Sequence, residues 1–183
     1  PARRRHVAGC DREDSAVDEL TQIAAGIRLV IFDVDGVFTD GRLYFGPDGE
    51  SHKVFHVRDG YGVKSLGAAG IGLAVISGRS SPAVSRRMAE LGIDEVFLGN
   101  HDKVPLFEGL IERLGIEPAA VAYMGDDLPD LPVMERVGLP VAPANADPAV
   151  LNASRWRSRL EGGHGAVREF CDFLLAARRE AGT

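Results

Sequence analysis

The sequence predicts an α/β protein: a three-layer α/β/α sandwich around a central parallel sheet. Three observations carry this. Short apolar runs alternate with helical patterns along the chain. The runs are rich in Ile, Val and Leu without a polar alternation, as expected for strands buried on both faces. Polar and acidic residues end several of the runs, at the strand edge where open parallel sheets bind ligands.

Taken in order, residues 1–25 read as a flexible N-terminal extension, loose to about Asp14, with "SAVDELTQIAAGI" as a short helix before the first strand. The strands are Ile27–Val34, Ile71–Ser77, Glu95–Gly99, Ala120–Asp126 and Gly138–Pro143. A helix follows Gly60. The next takes Ser81 as N-cap, Pro82 at its first position and Gly92 past its end. In "KVPLFEGLIERLG" an apolar stripe runs through Val104, Phe107, Leu110, Ile111 and Leu114. "LPDLPVMERVG" is a short, proline-punctuated helix, and "GAVREFCDFLLAARRE" a long amphipathic one. One domain spans 26–183, with a C-terminal tail and helix over 161–183. Residues 41–57 interrupt the rhythm as a β-hairpin around Gly-Pro-Asp-Gly. An isolated hairpin is marginal in water, so this one needs something to pack on.

The formal charge of −6 argues against a general nucleic-acid binder, which shows a basic stripe. It does not exclude anionic substrates, because a bound cation or local arginines reverse the field within one cleft. Cys10 and Cys171 are far apart and belong to no CxxC or Cys/His cluster, which argues against zinc and iron–sulfur sites. Free thiols fit a reducing cytoplasm. No apolar run approaches the roughly 20 residues of a membrane span. The basic start lacks the apolar segment of a secretory signal. The expectation is a cytoplasmic protein with no membrane or nucleic-acid partner.

Four strand ends carry polar chemistry. The first ends in Asp33-Val34-Asp35-Gly36 and the second in Ser77-Gly78-Arg79. Lys103 precedes the helix after the third, and the fourth ends in Gly125-Asp126-Asp127, with Asp130 three residues on. Crowded carboxylates repel and need a cation or a shared proton. Aspartate oxygens favour a hard ion, and Mg2+ is the usual one beside phosphate. Ser77, the Gly78 amide and Lys103 can hold phosphate oxygens. An aspartate can attack phosphorus to give an aspartyl-phosphate that water later hydrolyses.

Each set alone has an ordinary structural explanation: Asp in a turn, Ser as a cap, acidic residues at a helix start. Their joint arrival in this order does not. A phospho-signalling receiver domain combines similar groups, but keeps its acidic pair on the first strand and its phosphoacceptor on the third. A non-catalytic interaction module fits poorly, since the full reactive set is present.

The order DxDG, SGR, K, GDDxxD resembles the haloacid dehalogenase (HAD) superfamily of phosphatases. "FDVDGVFTDGRLYF", "FHVRDGYGVKSL", "ISGRSS", "VAYMGDDLPDLPVMERVGL" and "GGHGAVREFCDFLL" are most similar to its 3-deoxy-D-manno-octulosonate 8-phosphate (KDO 8-phosphate) phosphatase clade, over about Ile27 to Arg178. The resemblance implies a Rossmann-like fold with a minimal cap, the hairpin. It implies hydrolysis of KDO 8-phosphate in lipopolysaccharide biosynthesis, or of a related nine-carbon acid phosphate. Asp33 would be the nucleophile and Asp35 the general acid, then base. Ser77 and Lys103 would bind the phosphoryl group. Asp33, the Asp35 carbonyl and Asp126 would bind Mg2+, with Asp127 and Asp130 supporting them. Gly36, Arg58, Gly60, Gly78, Arg79 and Arg168 would form the substrate-binding set, the arginines meeting the sugar acid's carboxylate bidentately. The resemblance also implies a homotetramer in which each hairpin roofs a neighbour's active site. Gly162 to Glu169 would fold over a site entrance, and truncation before Gly162 would leave the core folded.

Overall fold

The computed structural model describes residues 19–182. Strand β1 (Leu29–Phe32) lies at the centre of a parallel sheet whose other members are β4 (Gly72–Ser77), β5 (Glu95–Leu98), β6 (Val121–Met124), β7 (Leu139–Ala142) and β8 (Trp156–Arg157). The spatial order is β5-β4-β1-β6-β7-β8. From β1 the chain first builds outward through β4 and β5. It then returns to the other side of β1 and builds outward again. Such a reversal opens a crevice beyond the carboxyl ends of the central strands.

Successive side chains of a strand point to opposite faces, and β1 divides accordingly. Val30 and Phe32 join one apolar cluster with Val63 and Leu66 of α2 (Val57–Ala68), Met88 of α3 (Pro82–Leu91) and Phe170 and Leu174 of α7 (Ala166–Glu180). Leu29 and Ile31 join the other with Phe107 and Leu110 of α4 (Val104–Leu114), Val133 of α5 (Leu131–Met134) and Val150 of α6 (Pro148–Ala153). These are the two helical layers of the expected sandwich.

Residues 19–25 form helix α1, with Ala24 in the first cluster. The rest of the predicted extension, and Cys10, lie outside the described residues. The hairpin is present as β2 (Tyr44–Gly46) and β3 (Gly49–His52), paired antiparallel. Two elements were not anticipated: β8 is two residues long, and α6 precedes it. Trp156 of β8 stacks on Phe173 and packs against the tilted ring of Phe170, which gives its ring a packing role.

Helix α2 begins at Val57, earlier than the glycine-rich "RDGYG" suggests. Its glycines serve close packing. A Cβ on Gly60 would lie 2.3 Å from Arg87 of α3, and one on Gly62 would lie 3.0 Å from both Arg168 and Cys171 of α7. Asp59 is buried, and its Oδ1 accepts the backbone N–H of Arg168 at 2.9 Å, which caps the start of α7 from a neighbouring helix.

Helix α7 is part of the core. Val167, Phe170, Cys171 and Leu174 are fully buried on it. Burying each such large apolar side chain contributes about 1.5–3 kcal/mol. Removing the chain from Gly162 onward would therefore strip one wall of the first cluster, contrary to the expected tolerance of that truncation. The segment before α7 is tied down by Glu169, which accepts hydrogen bonds from Ser158 Oγ at 2.6 Å and from the Arg159 backbone at 2.8 Å. Among the described residues, no helix is long and apolar enough to cross a membrane.

Candidate active site

Apolar β1 is rigidly clamped between β4 and β6, and Asp33 is the first residue beyond it. The Asp33 amide donates to the Met124 carbonyl at 2.9 Å, so the carboxylate is delivered at the sheet edge. Ser77 closes β4, Lys103 immediately precedes α4, and Asp126 follows β6 by two residues. Asp33, Asp35, Ser77, Gly78, Arg79, Lys103, Asp126, Asp127 and Asp130 all line one cleft of about 350 Å³. The four predicted strand ends thus converge.

Lys103 is 95% buried, a placement that an ammonium tolerates only when paired. Its Nζ lies 2.7 Å from Asp33 Oδ1 and 2.7 Å from Asp130 Oδ1. Tyr123 Oη donates to the same Asp130 oxygen at 2.7 Å. Asp130 Oδ2 accepts the backbone N–H groups of Asp126 and Asp127 at 3.0 and 3.2 Å. Asp130 therefore spends both oxygens on positioning the lysine and the loop that carries Asp126. Asp127 caps the short 3₁₀ turn Leu128–Asp130 through the Leu128 amide at 2.8 Å.

The carboxylates of the cleft are buried and repel one another. Burial, then the neighbouring Asp130 charge, pushes Asp33 up to about 7 against the pull of Lys103. Burial, followed by the charges of Asp33, Asp130 and Asp127, pushes Asp126 up to about 8. For Lys103, burial presses the ammonium pKa down, but the charges of Asp33 and Asp130 outweigh it and the net direction is up. Among the described residues, Asp126 Oδ1 is buried and has no hydrogen-bond partner. Asp33, Asp126 and Asp130 offer oxygens within 4.8 Å of one another, a cluster able to coordinate a divalent metal. Because Asp130 is already engaged, Asp33 and Asp126 are the carboxylates with capacity left for an ion.

Gly36 makes this approach possible. Its φ of +94° is left-handed, and a Cβ there would lie 1.9 Å from Asp126 Oδ2. Thr39 Oγ1 accepts the Gly36 and Gly41 amides at 3.3 and 3.2 Å and shapes the loop. Behind it, Gly163 donates to the Val37 carbonyl at 3.0 Å, and a Cβ on Gly162 would lie 1.7 Å from the Gly36 carbonyl oxygen. The tail glycines thus brace the loop that follows the nucleophile candidate.

Sequence reasoning missed several residues. Lys53, 98% buried at its side chain, brings its Nζ against Asp35 Oδ1. Glu50 pairs with Arg79. Both come from the hairpin, which in this single chain reaches the chain's own cleft. Their signal, "ESHK", is an ordinary strand pattern, and only the fold brings it to Asp35. His101 also lines the cleft, with Nδ1 2.9 Å from where a Gly78 Cβ would be. Three expected substrate contacts lie elsewhere in the chain. Arg58 is exposed at the start of α2, Gly60 packs on α3, and Arg168 pairs with Asp172 at 2.8 Å while its guanidinium lies 4.8 Å over the Tyr61 ring. None of the three lines the cleft.

An aspartate presented at the switch point of a parallel sheet, with a buried lysine and a cation-ready acidic loop beside it, defines a HAD-type hydrolase. Comparison with known proteins agrees. The model for haloacid dehalogenase-like hydrolases matches residues 95–166. The chain is 49% identical over 155 residues to 3-deoxy-D-manno-octulosonate 8-phosphate phosphatase of Escherichia coli strain K12, covering 85% of this chain and 82% of the relative. The Yersinia pestis phosphatase of that name has a crystal structure that superposes with a TM-score of 0.87 at 45% identity, covering 90% of this chain and 89% of that one. A Moraxella catarrhalis structure of the same phosphatase, in complex with magnesium ion, phosphate ion and KDO, superposes with a TM-score of 0.86 at 40% identity, covering 89% and 94%. The chain belongs to the 3-deoxy-D-manno-octulosonate 8-phosphate phosphatase family of HAD hydrolases. This membership removes the receiver-domain reading, in keeping with the position of the candidate acceptor, Asp33, immediately after the first strand.

Proposed function

We propose that this protein is a magnesium-dependent phosphatase that converts KDO 8-phosphate to KDO and inorganic phosphate, a step of lipopolysaccharide biosynthesis. The observation that carries the reading is the convergence of Asp33, Asp35, Ser77, Lys103 and Asp126 on one cleft, in a chain 49% identical to a phosphatase of that name.

Asp33 attacks phosphorus while the bond from phosphorus to the sugar C8 oxygen breaks, leaving an aspartyl-phosphate. Asp35 delivers a proton to the departing sugar oxygen and then takes one from the water that hydrolyses the aspartyl-phosphate. Ser77, the Gly78 amide and Lys103 hold the phosphoryl oxygens. Lys103 also fixes Asp33 for in-line attack, since its Nζ lies 2.7 Å from Oδ1. Asp33, Asp126 and the Asp35 carbonyl would hold Mg2+, which when bound supplies the positive charge that lets an anionic nucleophile meet an anionic substrate. Arg79 is the cleft arginine suited to the substrate carboxylate.

Self-association as a homotetramer is part of this reading. It is supported by an exposed apolar face on the hairpin and the start of α2, where Phe45 is 66% and Val57 78% exposed. Such a face would bring Arg58 and the hairpin towards a neighbouring subunit.

The test is phosphate release from KDO 8-phosphate with and without magnesium. Turnover that requires the ion supports the reading. Wild-type protein that hydrolyses an aryl phosphate but not KDO 8-phosphate would refute the substrate.

A further inference from the structure

Four charged side chains at the rim of the cleft form a closed ring of alternating sign. Lys53 Nζ meets Asp35 Oδ1, and the same amine lies 3.6 Å from Glu50 Oε2. Glu50 Oε2 in turn accepts from Arg79 at 2.9 Å. Arg79 Nε closes the ring 3.5 Å from Asp35 Oδ2. Two members come from the hairpin and two from loops at strand ends of the main sheet.

Glu50 is held by more than charge. Its Oε1 accepts Ser81 Oγ at 3.1 Å, across 31 residues of sequence. Ser81 is the N-cap residue of α3, yet its side chain makes no capping hydrogen bond. A serine at that position ordinarily satisfies a helix amide. Here the hydroxyl is turned to the hairpin carboxylate instead. The ring is also asymmetric in access: Lys53 is 2% exposed at its side chain and Arg79 is 42% exposed. Arg79 lines the cleft, whereas Glu50 does not. The one cation of the ring that a ligand can reach is thus already paired with an internal carboxylate.

We infer that Glu50 is a positioning residue that competes with the substrate carboxylate for Arg79, latching the hairpin to the cleft until an acidic sugar phosphate replaces it. The inference rests on the reading that the substrate carries a carboxylate. Exchange of one carboxylate for another on Arg79 preserves the alternation of the ring, so an acidic substrate displaces Glu50 without leaving a charge unpaired. A phosphate ester lacking the carboxylate has nothing to offer Arg79 and must bind beneath a closed latch. Glu50 would therefore temper the affinity for acidic esters through an internal mimic of their carboxylate, while esters that lack one leave the latch closed and are indifferent to it.

The experiment compares wild type with Glu50→Gln, which keeps the shape and turns a charge-assisted bond into a neutral one. KM and kcat are measured for KDO 8-phosphate and for p-nitrophenyl phosphate, with Ki for free KDO against the latter. A partly exposed ion pair corresponds to about a two- to five-fold change in affinity. Glu50→Gln should lower KM for KDO 8-phosphate and Ki for KDO by about that factor, raising the preference for the acidic ester over the aryl ester. Ser81→Ala should move both constants in the same direction by less. Constants that stay level or rise in both variants, with wild type turning over KDO 8-phosphate, overturn the competition and leave the substrate assignment standing. Wild type that hydrolyses p-nitrophenyl phosphate but neither hydrolyses KDO 8-phosphate nor is inhibited by KDO overturns both.

Discussion

Lys103 Nζ stands 2.7 Å from Asp33 Oδ1 and at the same distance from Asp130 Oδ1. One buried ammonium is shared between the nucleophile candidate and a carboxylate that is bonded through both of its oxygens. Asp130 is thereby the keystone of the site, since its other oxygen also holds the loop bearing Asp126.

Asp130→Ala removes a partner from a buried charge and leaves the Asp126 and Asp127 amides unserved. Breaking a buried pair this way costs about 3–5 kcal/mol. Tyr123→Phe deletes only the hydroxyl that donates to Asp130 and should cost about 1 kcal/mol. Urea denaturation of the two variants checks the order. Equal stabilities would mean that Asp130 does not carry the network.

Gly36→Ala places a methyl group on the Asp126 carboxylate, at a backbone angle that side chains rarely adopt. The loop must shift, and the apparent magnesium affinity should weaken by about ten-fold or more, while the secondary structure seen by circular dichroism is retained. Magnesium titration of activity and of thermal stability gives the measurement.

The metal-free protein should lose stability as pH rises from about 4 to 8. Asp33 and Asp126 have folded-state values near 7 and 8, above the unfolded value of about 3.9. The folded state therefore binds more protons through that window, and unfolding free energy falls as they leave. Magnesium should flatten the trend by holding both carboxylates ionised in the folded state. The opposite sign belongs to Glu169, whose burial raises but whose bonds to Ser158 and Arg159 lower its value; the net is downward, so its contribution is lost only on acidification below about 4.5. Melting temperatures across pH, with EDTA and with magnesium, separate the two regimes.

Truncation before Gly162 should yield unfolded or insoluble protein, because the residues removed include Val167, Phe170 and Leu174 of the core. A soluble, cooperatively melting fragment would contradict the packing described for α7.

Much of this was legible in the sequence, for identifiable reasons. The runs around β1, β4 and β6 are continuous and apolar, and their polar stops fall where the parallel sheet ends, so the positions of Asp33, Ser77 and Asp126 follow from local pattern. The start of α2 was not legible, because "RDGYG" has turn composition. Only the proximity of α3 and α7 explains glycines inside a helix. Strand β8 is two residues long and carries no periodicity. Glu50 and Lys53 were invisible as site residues because a hairpin's reach across 18 to 31 residues of sequence is set by tertiary folding. Arg58 and Arg168 matched a motif, and motifs carry no direction; in the chain they lie on the α2–α7 surface away from the cleft.

The central claim is most directly tested by kcat/KM for KDO 8-phosphate, in magnesium, set beside the same constant for a nine-carbon keto-deoxy acid phosphate and for common sugar phosphates. The account predicts that KDO 8-phosphate exceeds every other ester by at least about ten-fold, and that Asp33→Asn abolishes the activity without changing the fold. A flat profile across the panel, or activity retained by Asp33→Asn, would contradict it.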